Sequence, residues 1–178
     1  MQVNEAILKR TVGRSRDYLD LHSVVDGIRG VALIALVSKP SRFNRGTGTS
    51  IPSFKEQERV ISRYLGLIKR GEYKFIKGYH SLYFIATRER AQAVRQFLTE
   101  YGLPLSSNDK EGLYAIGKLL GYSQCCIDAL IERRSDRNSA WRIIPFAPCS
   151  PKCGERWLRV YEELAEHYNV SSSTRFFR

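Results

Sequence analysis

All four cysteines of this 178-residue chain fall in two short stretches, and each stretch reads as the start of a helix. Cys125 and Cys126 stand in tandem behind Gly121, Tyr122, Ser123 and Gln124. Cys149 and Cys153 flank Ser150, Pro151 and Lys152. Twenty-two residues separate Cys126 from Cys149, and three separate Cys149 from Cys153. Ser123 is placed to cap a helix whose apolar face carries Cys126, Ile127, Leu130 and Ile131. Ser150 is placed to cap a second helix, with Pro151 at the first helical position, where its missing N–H costs nothing. An apolar stripe from Trp157 through Tyr161 and Leu164 to Tyr168 continues that helix. Counted from the caps, Cys125, Cys126 and Cys153 lie in a first helical turn, and Cys149 borders one. Free N–H groups and the positive end of the helix dipole favour thiolate at such positions. Two helix starts of this kind, brought together, would form a pocket suited to a tetrathiolate metal centre.

Three chemistries compete for the four thiols. A tetrathiolate metal site could hold an iron–sulfur cluster or zinc. Zinc sites usually present paired Cys-x-x-Cys knuckles, which are missing here. Neighbouring helical residues point about 100° apart, which strains a single tetrahedral ion and suits a larger 4Fe-4S cluster. Alternatively, two disulfides join the helix starts, closing a loop that stabilises by roughly 3–4 kcal/mol in the chain-entropy model. Such bonds are unusual in reducing cytosol but occur in hyperthermophile cytoplasm. In the third case the thiols are unlinked and pack as small apolar groups. A cysteine pattern alone leaves connectivity open.

Gly121-Tyr122-Ser123-Gln124-Cys125-Cys126, preceded by residues 116–120 and followed by Pro148, Cys149 and Cys153, resembles an archaeal family of unknown function. Members of that family show Gly-Tyr-Pro-x-Cys-Cys and a later Pro-Cys with one more Cys. The likeness covers mainly residues 110–160. Ser123 stands here in place of the usual Pro, and both residues can begin a helix. The resemblance implies an archaeal origin and a cysteine site shared across the family; it implies no activity or substrate.

The remaining pattern is that of an α+β protein: a small mixed sheet with flanking helices, then a helical C-terminal half carrying the cysteines. A single domain is expected, with an α/β half over residues 1–104 and the helical half over residues 105–178. Short apolar clusters at residues 2–12 and 17–28 read as helix, the second including Val25 and Ile28. Residues 31–38 are apolar up to Ser38 and bounded by turn residues, as in a strand buried on both faces. A long loop follows, over residues 39–52, and matches neither glycine-rich nucleotide fingerprint. Ser53 can cap a helix to about residue 70 with Val60, Ile61, Tyr64, Leu65 and Ile68 inside, ended by Gly71. Residues 73–76 and 82–86 read as a hairpin turning within residues 77–80, and residues 89–101 as a helix. Asn108 with Glu111 resembles a capping box for the next helix.

Twenty-nine Lys and Arg oppose 18 Asp and Glu, a net charge of +11, which attracts polyanions. Basic and aromatic residues interleave around Arg42 and Arg45, around Lys74 and Lys77, and around Arg175 and Arg178. Such patches stack bases while neutralising phosphates, so these six cations are candidate RNA contacts. At residues 73–79 the alternation equally fits a plain strand with Phe75 inward. No apolar run reaches the ~20 residues that span a membrane. The opening residues lack the features of a signal peptide, so a cytoplasmic protein is expected. His22, His80 and His167 are scattered, and no triad, paired-carboxylate or His-x-x-x-His pattern is present. Catalytic residues are therefore not assigned. The reading is a basic protein with a four-cysteine metal site, iron–sulfur ahead of zinc, that binds RNA or assists its modification. A disulfide-stapled, non-catalytic protein of a thermophilic archaeon and a thiol redox enzyme using Cys125 or Cys126 are the alternatives.

Overall fold

A computed structural model of the chain describes residue 8 and residues 11–12, 15–36, 53–69, 71–132 and 148–170. The chain divides into two compact units, Met1–Pro104 and Leu105–Arg178.

The first unit is built on three strands: β1 (Val31–Ala35), β2 (Tyr73–Tyr79) and β3 (Leu82–Thr87), in the order β1-β3-β2. Both pairings are antiparallel. The sheet is therefore not mixed at any described ladder. β1 and β2 do run parallel to each other, but β3 is inserted between them. The central strand carries the core. Residues 83–86 are buried without interruption because helices cover both faces of the sheet. On one face lie α1 (Ser15–Val25) and α2 (Phe54–Ile68). Tyr83 hydrogen-bonds Glu58 of α2, Tyr73 donates to the Val25 carbonyl at the end of α1, and His22 reaches Tyr64 across the two helices. On the other face lies α3 (Ala91–Glu100), with Phe97 edge-on to Phe84.

Local chemistry sets the boundaries. Ser53 and Glu56 form a full capping box at α2: the Ser53 N–H donates to Glu56 Oε2 at 2.7 Å, and the Glu56 N–H donates to Ser53 Oγ at 3.4 Å. Helix α1 stops at Val25 because Gly27 takes a left-handed φ of 73°. Ile28, expected on its apolar face, is consequently outside the helix and 42% exposed. Ile68, at the last turn of α2, is likewise exposed, and the buried positions of that helix are Gln57, Ile61 and Leu65. The hairpin turns later than residues 77–80 predict. β2 continues through an irregularity between Lys77 and Tyr79, and the turn is His80–Ser81. Gly78 permits this: a Cβ there would lie 3.0 Å from Leu103 Cδ1 and 3.3 Å from the Leu82 carbonyl. Arg29 and Asp20, both buried, pair at 3.1 Å and tie the α1–β1 turn to its helix.

The second unit holds α4 (Lys110–Leu119), α5 (Gln124–Ile131) and α6 (Pro151–His167). Its first helix is capped by Asp109, which accepts from the Gly112 N–H at 2.8 Å, rather than by Asn108. A Cβ on Gly112 would overlap the Asp109 carboxylate, so glycine at this position lets the cap close. Helix α4 ends in a Schellman turn. Gly121 adopts φ 76°, the Tyr122 N–H returns to the Gly117 carbonyl at 2.9 Å, and the Gly121 N–H returns to Lys118 at 3.0 Å. That turn reverses the chain into α5. No helix among the described residues is long and apolar enough to cross a membrane. The loop with Arg42 and Arg45, the apolar stretch over residues 141–146 and the tail with Arg175 and Arg178 lie outside the described residues.

Candidate metal centre

The four cysteines converge. Their sulfur atoms all lie within 4.8 Å of one another, although the two stretches are far apart in sequence. The placement follows from the helix starts. Ser123 is the N-cap of α5, which puts Cys125 and Cys126 at its second and third positions. Ser150 caps α6, with Pro151 first and Cys153 third, and its hydroxyl accepts the Cys153 N–H at 3.4 Å. Cys149 immediately precedes that cap.

The tandem pair divides its work across the helix surface. Cys126 is buried beside Ile127 and Ala129 on the inner face of α5, whereas Cys125 is exposed. Neighbouring helical side chains diverge, yet both sulfurs lie in the same cluster. Packing beneath is tight: a Cβ on Gly117 would stand 2.8 Å from Ile127 Cγ1, so glycine lets α4 and α5 approach closely. Beside the site, Tyr114 donates to Gln124 at 3.1 Å, and the Gln124 amide donates to Asp128 at 2.7 Å, fixing the first turn of α5.

Ser123 departs from its expected role in one respect. Its backbone occupies the cap position, but its hydroxyl lies 3.3 Å from Cys125 Sγ instead of on a backbone N–H. That hydroxyl is the leading cause that lowers the Cys125 thiol to about 7, with the neighbouring cysteines adding to it. Cys149 is pushed in the opposite direction, to about 12, by burial first and by Cys125 and Cys153 next. Burial also raises Cys126, against the pull of Ser123 and of the Cys149 N–H. Cys125 thus ionises more readily than Cys126 or Cys149. A bound cation removes that difference, because a coordinating thiol is deprotonated outright.

All four cysteines are free thiols. Cys125 and Cys153 stand 3.8 Å apart, well beyond the ~2.05 Å of an S–S bond. The donor set fits a metal. At a Zn–S distance of about 2.3 Å, tetrahedral geometry puts the sulfurs about 3.8 Å apart, close to the observed spread.

The six candidate nucleic-acid contacts are not brought together as a described patch. Arg42, Arg45, Arg175 and Arg178 lie outside the described residues. Lys74 and Lys77 are both exposed on β2, but they pair with Ala86 and Tyr83, residues of opposite parity on β3. The two lysines therefore point to opposite faces of the sheet. His22 is buried between the rings of Tyr18 and Tyr64, while His80 and His167 are exposed. Sequence reasoning missed the Tyr114–Gln124–Asp128 chain. Spacing of four between Gln124 and Asp128 was its only available trace. No family model, curated protein or solved structure matches this chain.

Proposed function

We propose that this chain is a metal-binding protein in which Cys125, Cys126, Cys149 and Cys153 hold one tetrahedral ion, zinc in preference to an iron–sulfur cluster. The observation that carries this reading is the spread of the four sulfurs, none farther than 4.8 Å from another. A 4Fe-4S cluster binds each thiolate to a different iron, so its thiolates stand farther apart than those around a single ion. Four protein ligands complete a tetrahedron and leave no open position for a substrate, which makes the role structural. The ion would lock the start of α5 to the start of α6. The likeness of residues 110–160 to an archaeal family with the same cysteine arrangement accords with a purposeful site. Metal analysis of freshly isolated protein should give about one zinc per chain and no visible absorbance. A brown protein with iron and sulfide would return the assignment to an iron–sulfur cluster. Colourless, metal-free protein with both helix starts intact would refute it.

A second reading concerns the partner. The net charge of +11 supports binding of RNA, with the metal-closed unit as part of an RNA-binding or RNA-modification protein. Retention of RNA at low salt, lost steeply as salt rises, tests it. Absence of retention at low salt would dismiss it.

A further inference from the structure

We propose that the outer face of α2 tracks the sugar–phosphate backbone of RNA through Lys55, Arg59 and Arg63. This rests on the RNA reading above and locates the contact on residues that the sequence patches did not include. The three cations recur every four residues, so they form one ridge with steps of about 6 Å along the helix. All three are exposed. At about 100° per residue, Arg59 and Arg63 straddle the line opposite the buried Gln57, Ile61 and Leu65. The ridge is thus the part of α2 that faces most directly away from the sheet.

Both carboxylates of this helix are hydrogen-bonded within the chain, Glu56 at the exposed first turn and Glu58 half-buried. Glu56 Oε2 accepts from the Ser53 N–H and hydroxyl, each at 2.7 Å; these bonds hold its carboxyl below the usual carboxylate range, and Arg59 adds only a lesser attraction. Glu58 accepts from Tyr83. What α2 shows outward is mainly positive charge. The large apolar side chains that α2 leaves exposed, Phe54, Leu67 and Ile68, stand at its two ends.

A second feature lies on the same ridge. Gly66 sits inside the helix at the angle between Lys55 and Arg59, is exposed, and has nothing within 4 Å of the position a Cβ would take. Glycine weakens a helix interior, and no contact among the described residues requires it here. A strand lying along the ridge would use that gap to approach the helix backbone.

The test is fluorescence anisotropy of the full chain with a labelled oligouridine of about 20 nucleotides, titrated between about 50 and 200 mM salt. Lys55→Gln/Arg59→Gln/Arg63→Gln is expected to weaken binding at least tenfold and to reduce the log–log salt slope by about 2. A charge-matched variant, Arg88→Gln/Arg95→Gln/Lys110→Gln, should change the slope by less than half as much. Equal losses in the two variants would overturn the ridge while leaving RNA binding standing. No binding by the unaltered protein at low salt would instead remove the RNA reading and this inference with it. Tighter binding of an oligodeoxythymidine would overturn the assignment to RNA. Gly66→Ala separates contact from folding: it should raise the melting temperature yet weaken RNA binding severalfold. A stabilised Gly66→Ala protein with unchanged affinity would count against close approach at the ridge.

Discussion

The two units of this chain are held together by different means. In Met1–Pro104, apolar burial is spread over a sheet covered on both faces, with Phe84, Ile85 and Ala86 of β3 at its centre. In Leu105–Arg178, the described helices α4 and α5 are ten and eight residues long, too short to persist alone in water. The buried hydrophobic residues described there are Leu120, Cys126, Ile127, Ala129, Tyr161, Leu164 and Ala165. A unit of that length rarely obtains more than a few kcal/mol from its core and commonly needs a staple. The proposed metal would gather its strongest constraint at one point, the four sulfurs. Distributed burial fails by degrees, whereas a point constraint fails all at once.

The contrast is broken or sharpened most forcefully by removing the proposed metal. Structural zinc contributes about 10–16 kcal/mol to peptides that fold around it. Chelation, or Cys126→Ser/Cys153→Ser, is expected to erase hydrogen-exchange protection in α5 and α6 while β3 stays protected. Equal protection with and without metal would mean that the helical unit needs no staple. Next in size is Phe84→Ala, a fully buried ring on the central strand, expected to cost about 3–5 kcal/mol in denaturant unfolding. Metal content should not change; loss of metal in this variant would show that the units do not hold their structures separately.

Gly117→Ala probes the packing under the cysteines. The added Cβ meets Ile127 and should cost about 1–3 kcal/mol. Combined with Ile127→Ala it should cost less than the sum of the two changes, and simple additivity would refute the clash. The smallest effect is expected at Tyr83. Its phenol is raised to about 12, by burial first and then by Glu58. The fold therefore favours the neutral form. This contribution is intact below the unfolded value near 10 and disappears as pH rises through about 12. Tyr83→Phe should cost about 1 kcal/mol near neutrality and flatten the loss of stability over that alkaline range, read from urea midpoints. An unchanged alkaline profile would assign that loss to other groups.

Elements whose signals lie within one or two turns were legible. The Ser53 cap of α2 and the Ser150–Pro151 start of α6 both appear where their residues place them. Legibility failed where competing local partners were close together. Asp109 took the cap from Asn108 because Gly112 leaves room for its carboxylate. Ile28 and Ile68 match helical spacing but fall beyond or at the end of their helices, where periodicity no longer reports burial. Gly78 reads equally as turn or as strand, and only the neighbouring strand and Leu103 decide for the strand.

By itself, the sequence determined where α2, α5 and α6 begin and that three of the thiols occupy first turns, because caps, proline and helical periodicity act through neighbouring backbone groups. Tertiary structure alone decided that the four sulfurs meet, and that Lys74 and Lys77 part to opposite faces of the sheet. The physical reason is distance along the chain. Closing a span of more than twenty residues, or choosing the register of a strand, depends on contacts that no local segment contains.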